Sequence, residues 1–324
     1  MDVVVGVDLG GTKIAAAWVD RAGGAGGVVS VPTPAHEGPD AILDAVARLV
    51  QQAMDGNGRA FLRAVGVGTA GVVDVSTGTI VSATDALTGW SGTNVAVGVQ
   101  SRVSQGSGSA LRLPVYVEND VDAHAAGEVW LGAAEGAPTS VLVAVGTGVG
   151  GAVVIDGVAI HGAHHVAGEV GHVPTPGAEG LRCACGLEGH LEAIAAGPAI
   201  LRRYLALGGA GCGDAREVFD RARAGDVLAQ TVVKDAAVAL GRAVAGIATL
   251  IDPHTIVIGG GVPDAGPIWW EPMELAFRSE VIPPLRDLAV VKAALGSRAP
   301  ILGAARGAWR LLDEQAASPA ATDR

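Results

Sequence analysis

Residues 4–13 read V-V-G-V-D-L-G-G-T-K, and residues 142–151 read L-V-A-V-G-T-G-V-G-G. Each stretch is a short apolar run that enters a glycine-rich turn, and another apolar run follows it. This pattern predicts a buried strand, a tight turn and a returning strand. The two stretches are copies of one hairpin, with Asp8 in the first copy where Gly146 stands in the second. A duplicated α/β fold with a cleft between its halves is the economical explanation.

The rest of the chain continues this alternation of strands and helices. Further strands are predicted at residues 28–31, 64–68, 115–118 and 255–258, and helices at residues 40–54, 121–131, 236–251 and 301–312. We expect a small α/β domain over residues 1–118 and a large one over residues 119–300. The last helix, within residues 301–324, is expected to cross back to the first domain.

Composition restricts the function classes. The 324 residues are 49% hydrophobic and carry a formal net charge of −11 with no basic block, which argues against a nucleic-acid surface. No signal peptide is recognisable, and the most apolar late stretch contains Arg242, so no membrane segment is predicted. The three cysteines suggest no disulfide framework. We therefore expect a soluble, cytoplasmic protein.

The glycine turns are candidates for phosphate binding. A glycine turn after a buried strand can direct several backbone N–H groups at a polyphosphate, although either turn alone is more often a plain hairpin turn. Two turns in matching positions favour a nucleotide site, and Asp8 beside phosphates implies a magnesium ion. Thr12 and Lys13 could add a hydroxyl and a cation. A turn-capping role for Asp8 and a solvated Lys13 remain alternatives.

Asn119 and Asp120 stand where a predicted strand ends and a helix begins. Strand ends that face a cleft are where open α/β sheets place catalytic groups. There, Asp120 could accept the proton of an attacking hydroxyl while the Asn119 amide holds a neighbouring hydroxyl. The alternative is that Asp120 only caps the helix, because Asp is a good N-cap residue.

A series of motifs along the chain resembles the ROK (repressor, open reading frame, kinase) family. They are D-L-G-G-T-K at 8–13, E-N-D at 118–120, G-T-G-V-G-G at 146–151, G-E-V-G-H at 168–172, C-A-C-G at 183–186, L-E at 191–192, and D-P at 252–253 with G-G-G at 259–261. Their joint order is specific and spans nearly the whole chain. The resemblance implies an actin-like ATPase fold of two ribonuclease-H-like domains, in a homodimer or tetramer.

The resemblance also implies an activity and its residues. It implies ATP-dependent phosphorylation of a hexose at O6, with glucose first and N-acetylglucosamine, N-acetylmannosamine or fructose as alternatives. It assigns Asp120 as catalytic base and places the sugar at Gly71, Asn119, Asp120, Glu169, His172 and Glu192. The nucleotide and its magnesium are assigned to Asp8, Gly10, Gly11, Thr12, Lys13, Gly146, Thr147, Gly148, Gly150, Gly259, Gly260 and Gly261. Whether polyphosphate can replace ATP stays open.

Family members hold a structural zinc with one His and three Cys. This chain has His172, Cys183 and Cys185, but His190 stands where the third Cys is expected. Zinc accepts two thiolates and two imidazoles, so we expect a zinc site, with buried thiols as the alternative.

His165 stands where the family more often has Gly. Its side chain could fill the space beside C2 of the sugar, which favours glucose over acetamido sugars. The extra histidines, His161 and His164, are expected to be surface or packing residues.

Two rival functions come from other classes. A sugar-responsive transcriptional regulator of this family carries a DNA-binding module ahead of the first hairpin, where this chain has only Met1 and Asp2. A non-catalytic sugar-binding protein would not need Asp8, Asp120 and both glycine turns. We therefore favour the kinase.

Overall fold

A computed structural model of the chain describes residues 1–55, 60–107 and 113–317, without the side chains of residues 105–107. The chain forms two compact units. The first comprises Met1–Gly136, Gly157–Ala167 and Ser297–Arg324, and the second comprises Ala137–Asp156 and Gly168–Gly296. None of the helices in the described ranges is long and apolar enough to cross a membrane.

The regular elements alternate as the sequence predicts. The strands are β1 (Asp2–Leu9), β2 (Lys13–Val19), β3 (Ala25–Pro32), β4 (Phe61–Thr69), β5 (Val72–Asp74), β6 (Thr79–Ser82), β7 (Val115–Asn119), β8 (Thr139–Val145), β9 (Val149–Ile155), β10 (Val158–Ala159), β11 (Thr255–Gly259) and β12 (Ala289–Lys292). The α-helices are α1 (Pro39–Met54), α2 (Val95–Ser107), α3 (Asp120–Leu131), α4 (Glu192–Ala195), α5 (Gly197–Ala206), α6 (Ala215–Arg223), α7 (Val227–Ile251), α8 (Pro267–Glu280) and α9 (Ala299–Ala317).

The first unit is built on a sheet with the strand order β3-β2-β1-β4-β7. β1 pairs antiparallel with β2 and parallel with β4, and β4 pairs parallel with β7. The amphipathic helix α1 buries Ile42, Val46 and Val50 in a core that also contains Trp90. Because β1, β4 and β7 run in parallel, their carboxyl ends meet at one edge of the sheet.

Helix α9 packs directly against this sheet and against α3. Gly6 of β1 and Gly66 of β4 are partners in register. A Cβ added at Gly66 would lie 1.8 Å from the carbonyl oxygen of Ala304, and one added at Gly6 would lie 2.0 Å from that of Ile301. The helix backbone therefore lies against the strand backbones, and only glycine permits this separation.

The second unit repeats the hairpin pattern. β8 pairs antiparallel with β9 and parallel with β11, and β11 pairs parallel with β12. The β8–β9 hairpin flanked by β11 thus matches the β1–β2 hairpin flanked by β4, which confirms the predicted duplication. Helices α7 and α8 pack together and bury Leu240, Trp269 and Phe277 in the core.

The units differ in extent from the predicted domains. The predicted boundary at residues 118/119 precedes α3, whereas the first unit continues to Gly136. The physical reason is the packing of α3 on α9, where a Cβ at Gly303 would lie 1.7 Å from the carbonyl oxygen of Ala123. The segment Gly157–Ala167 also belongs to the first unit, which no local pattern in the sequence indicates.

Adding a methyl group at Gly66 should therefore destabilise the protein. Gly66→Ala would force α9 away from β4, and we expect the free energy of unfolding to fall by about 3 kcal/mol. The matched control is Gly246→Ala in α7, where an added Cβ meets nothing within 4 Å. That variant should gain about 0.5–1 kcal/mol from the higher helix propensity of Ala. Urea unfolding measures both, and equal stabilities would contradict the packing argument.

Candidate active site

The strand order of the first unit brings Asp8 and Asp120 to the same edge of the sheet. Asp8 pairs in register with Gly68 of β4, and Thr69 pairs with Asn119 at the end of β7. Asp120 is the first residue of α3. A Cβ added at Gly68 would lie 3.6 Å from the Cα of Asp120, so the start of α3 lies against the end of β4.

The two carboxylates influence each other electrostatically. Burial, and then the negative charge of Asp120, raises the pKa of Asp8 from 3.8 to about 6, while Lys13 opposes this rise. A half-buried pair of acids is unfavourable by itself and is suited to a divalent cation, which prefers carboxylate oxygen ligands. The donor chemistry of this edge therefore fits the magnesium ion that the sequence implies.

Asn119, rather than Asp120, caps helix α3. The Asn119 side-chain oxygen accepts hydrogen bonds from the backbone N–H groups of Val121, at 2.8 Å, and Asp122, at 3.4 Å. The Asn119 amide donates to the carbonyl oxygen of Gly71 at 2.9 Å. Asn119 therefore provides the helix cap that was the alternative role for Asp120. The carbonyl of Gly71 holds the Asn119 side chain beside it.

The first glycine turn is held by Thr33. The Thr33 hydroxyl donates to the carbonyl oxygen of Gly10 at 2.7 Å, and its backbone N–H donates to that of Thr12 at 3.1 Å. Gly11 is half-buried, whereas Thr12 and Lys13 are exposed. The hydroxyl and the ammonium group are therefore accessible to a ligand, and their assignment to the nucleotide stays a prediction.

A buried acidic cluster behind Asp120 escaped the sequence analysis. Glu118 and Asp122 are both buried, and burial raises the pKa of each carboxyl. Tyr116 donates its hydroxyl to Glu118 at 3.2 Å. His161 Nδ1 lies 3.1 Å from Asp122 Oδ2, so His161 is a hydrogen-bond partner of Asp122 and not merely the surface or packing residue that we expected.

The second glycine turn, residues 146–148, is held by neighbours from the second unit. The N–H of Gly146 donates to the carbonyl of Gly148 at 2.9 Å, and the N–H of Gly197 donates to the carbonyl of Gly146 at 2.8 Å. Gly260 has a φ of 86°, and a Cβ there would lie 2.2 Å from the carbonyl oxygen of Val145. The glycines after β11 therefore permit a close approach to the end of β8.

A cavity of about 630 Å³ opens beside this turn. Its lining residues come from both predicted glycine segments and from the region around α5 and α6: Gly146, Thr147, Gly197, Pro198, Leu201, Gly213, Asp214, Ala215, Arg216, Phe219, Gly261 and Val262. The residues around α5 and α6 were not predicted from the sequence to line this site. The one local signal there is Asp214, which caps α6 by accepting from the Glu217 N–H at 3.0 Å.

The four expected zinc ligands lie together. One ligand atom from each of His172, Cys183, Cys185 and His190 lies within 4.8 Å of the others. Cys183 Sγ is 3.5 Å from His172 Nδ1, and Cys185 Sγ is 3.3 Å from His190 Nδ1. Two thiols and two imidazoles in this arrangement have the donor set and the proximity for a closed tetrahedral zinc site.

The acids assigned to the sugar border this cluster. Glu169 Oε2 lies 3.7 Å from His172 Nε2, so the two nitrogens of this imidazole face different groups. Glu192 Oε1 lies 3.6 Å from Cys183 Sγ, and Glu192 Oε2 accepts from the Val149 N–H at 3.0 Å. The second unit thus brings together Glu169, His172 and Glu192, whereas Asn119 and Asp120 belong to the first unit.

His165 adopts a left-handed backbone conformation with a φ of 61°. Glycine tolerates this conformation better than any other residue, which accounts for the usual Gly at this position. His165 is half-buried in the first unit, and its charge helps to lower the pKa of Asp74. Its role beside C2 of the sugar stays a prediction.

The pattern that defines the ROK family matches residues 4–309. The chain belongs to the ROK family. It is 33% identical to a glucokinase of Halalkalibacterium halodurans over 327 aligned positions, which cover 96% of this chain and 95% of that relative.

Two solved ROK structures resemble the whole chain. The ROK hexokinase of Thermus thermophilus has a TM-score of 0.84 at 35% identity and covers 96% of this chain and 99% of its own. The ROK family glucokinase of Streptomyces griseus in complex with glucose and AMPPNP has a TM-score of 0.76 at 33% identity, with 95% and 99% coverage. These likenesses confirm the actin-like ATPase fold class.

The raised pKa of Asp8 predicts a particular pH dependence of stability. Between the unfolded value of 3.8 and the folded value of about 6, the folded protein binds more protons, so stability falls as the pH rises. Asp8→Asn removes this penalty. The variant should match the wild type below about pH 4 and exceed it by up to about 3 kcal/mol at pH 8.

Urea unfolding between these pH values, without nucleotide or divalent cation, measures the difference. Asp74→Asn is the control with the opposite sign, because hydrogen bonds from Ser76 and Thr77 lower the pKa of Asp74. That variant should lose stability at neutral pH. A pH-independent difference between Asp8→Asn and the wild type would contradict the assigned burial.

Proposed function

We propose that this chain is an ATP-dependent hexokinase whose preferred substrate is glucose, which it phosphorylates at O6. The observation that carries the proposal is the position of Asp120, a carboxylate at the head of α3 that is relieved of helix capping by Asn119 and lies at the same sheet edge as Asp8. The glucokinase relatives over nearly the full chain support the substrate class.

Asp120 acts as the general base in this proposal. It accepts the proton of the sugar O6 hydroxyl as that oxygen forms a bond to the γ-phosphorus of ATP, and the bond from phosphorus to the β,γ-bridging oxygen breaks. The products are glucose 6-phosphate and ADP. The hydroxyl proton is transferred as the oxygen becomes bonded to phosphorus.

The two glycine turns bind the donor. The backbone N–H groups of residues 11–13 in the first turn and of Thr147 and Gly148 in the second hold the phosphate oxygens, and residues 259–261 border the adenosine. A magnesium ion held by Asp8 would neutralise charge on the phosphates. The cavity of about 630 Å³ beside Thr147 and Gly261 is large enough for a purine base and its ribose, which favours ATP over a polyphosphate donor.

The polar residues Asn119, Glu169, His172 and Glu192 select the sugar. Carboxylates accept hydrogen bonds from sugar hydroxyls more strongly than neutral groups do. A site with several such acceptors disfavours a sugar that leaves them unpaired. Gly71, whose carbonyl holds the Asn119 amide, keeps that side chain in place. In this proposal, His165 would fill the space beside C2 of the sugar that an acetamido group needs.

We further propose that His172, Cys183, Cys185 and His190 hold a structural zinc ion. With four protein ligands no coordination position remains for substrate, so the ion would cross-link the loop and take no part in the chemistry. Thiolate ligands require reduced cysteines, which supports the cytoplasm as the location. Glycolysis is the process that such an enzyme would serve.

We also propose that the protein forms a homodimer, or a tetramer of two such dimers. Exposed apolar side chains lie around α7 and α8, where Leu250 is 82% and Leu275 is 72% exposed. Beside Leu250, a groove of about 480 Å³ is lined by Val173, Pro174 and Ile247 among others. Apolar exposure of this kind marks an association surface.

Measuring ADP release with a panel of sugars tests the proposed reaction. With ATP and magnesium, kcat/KM should be highest for glucose among glucose, mannose, fructose, N-acetylglucosamine and N-acetylmannosamine. An acetamido sugar that exceeds glucose tenfold would overturn the substrate and leave the kinase assignment standing. ADP release that is independent of every sugar would overturn the kinase assignment itself.

The role of Asp120 is tested in the same assay. Asp120→Asn preserves shape and hydrogen bonding, so kcat should fall by about 10²–10⁴-fold while the glucose Kd changes by less than about threefold. Asp156→Asn is a matched control, since Asp156 is exposed and its φ of 51° is tolerated by Asn. Turnover of Asp120→Asn within threefold of wild type would remove Asp120 as the base.

Elemental analysis tests the zinc site without reference to activity. The purified protein should contain about one zinc per chain, and Cys183→Ser should lose it, because a closed tetrahedron needs all four ligands. His190→Ala should also lose zinc. Cys212→Ser is the matched control and should retain it. Full zinc in His190→Ala would show that a different fourth ligand completes the site.

A further inference from the structure

The two carboxylate oxygens of Glu192 have different neighbours. Oε2 accepts a hydrogen bond from the backbone N–H of Val149 at 3.0 Å, and Oε1 lies 3.6 Å from Cys183 Sγ. Val149 is the first residue of β9 and directly follows the glycine turn of residues 146–148. One side chain therefore connects the cysteine-bearing loop to the turn that we propose to hold the donor phosphates.

Gly148 makes room for this contact. A Cβ added at Gly148 would lie 2.7 Å from Glu192 Oε2. Gly148 is not among the glycines with a positive φ, so the requirement for glycine here is spatial and not conformational. Any residue with a Cβ at position 148 would therefore displace the Glu192 carboxylate.

The same segment contacts the turn at its other end. The N–H of Gly197 donates to the carbonyl of Gly146 at 2.8 Å. Residues 192–197 therefore hold the turn at both ends, through a backbone group at Gly146 and through a carboxylate at Val149. Of these two contacts, only the one from Glu192 depends on the identity of a side chain.

We propose that Glu192 is a positioning residue for the donor-phosphate turn, in addition to its proposed contact with the sugar. By accepting the hydrogen bond of the Val149 N–H, the carboxylate keeps the N–H groups of Thr147 and Gly148 in the arrangement that binds phosphate. This inference rests on the proposed function. Because one carboxylate serves both substrates, sugar and nucleotide affect each other's affinity through Glu192, and this coupling is reciprocal.

The test measures ADP binding in the presence of magnesium and in the absence of any sugar. Glu192→Ala should raise the Kd for ADP about tenfold, which corresponds to the loss of one charged hydrogen bond. Glu192→Gln keeps an acceptor oxygen and should have an intermediate effect. Electrostatics alone predicts the opposite sign, because removing a negative charge near phosphates should strengthen ADP binding.

Glu188→Gln is the matched charge control, since Glu188 is exposed on the same loop. Its ADP affinity should equal that of the wild type. If Glu192→Ala also leaves the ADP Kd unchanged or lowers it, Glu192 serves the sugar alone and the inference is wrong. Unfolding midpoints and zinc content, measured on each variant, separate a local effect from a loss of the fold.

A double-mutant cycle with Gly148 isolates the contact. Gly148→Ala should raise the ADP Kd about tenfold in the wild type, because the new methyl group displaces the carboxylate. In the Glu192→Ala background the methyl group has room, so the same substitution should change the Kd by less than about twofold. Additive effects would overturn the inference.

The double-mutant cycle measures the Kd for ADP and does not require that the protein phosphorylates a sugar. A wild type that binds ADP with the expected epistasis but does not phosphorylate glucose would refute the proposed function and support the positioning role. A wild type that does not bind ADP would refute the positioning role.

Discussion

The backbone contact of α9 with the first sheet is the constraint on which the first unit depends. Three glycines, Gly6, Gly66 and Gly303, lie where any side chain would collide with a carbonyl oxygen of the facing element. Such packing leaves no freedom for the helix to slide, because protein interiors are close-packed and do not deform continuously. β1, β4 and α3 are thereby fixed against one helix.

The position of the acids follows from that constraint. Asp8 is the second-to-last residue of β1 and Asp120 is the first residue of α3, and both elements pack against α9. The unit can therefore keep two carboxylates close enough for Asp120 to raise the pKa of Asp8, although the pair is unfavourable without a cation. The pair of acids lowers the stability of the folded unit, and the close packing around α9 offsets this loss. Strained or unfavourable groups at functional sites generally depend on such compensation from the surrounding structure.

The second unit contains the same hairpin, but its turn lacks the carboxylate that the first turn has. Where the first copy has Asp8, the second has Gly146, and a carboxylate from outside the hairpin, Glu192, contacts its turn instead. The first turn therefore contains its own carboxylate, whereas the second turn is contacted by a carboxylate from another segment. Glu192 also borders Cys183, so the geometry of the metal-ligand cluster and that of the glycine turn depend on each other.

The sequence by itself determined the features that arise from local chemistry. The period of the apolar runs and the glycine turns predicted the repeated hairpin, and the order of the motifs predicted the family. The residue types at 172, 183, 185 and 190 predicted a metal-ligand set, and the structure places these side chains together. Strand periodicity, turn preference and ligand chemistry are properties of short segments, so they can be interpreted without a fold.

Only the tertiary structure decided the contacts between distant segments. Asn119 and Asp120 are adjacent and both can cap a helix, and the backbone geometry at the end of β7 selects Asn119. His161 reaches Asp122 across 39 positions, and Glu192 reaches Val149 across 43. No periodicity encodes such pairs, because they arise when packed elements bring side chains together, and that packing depends on the whole chain.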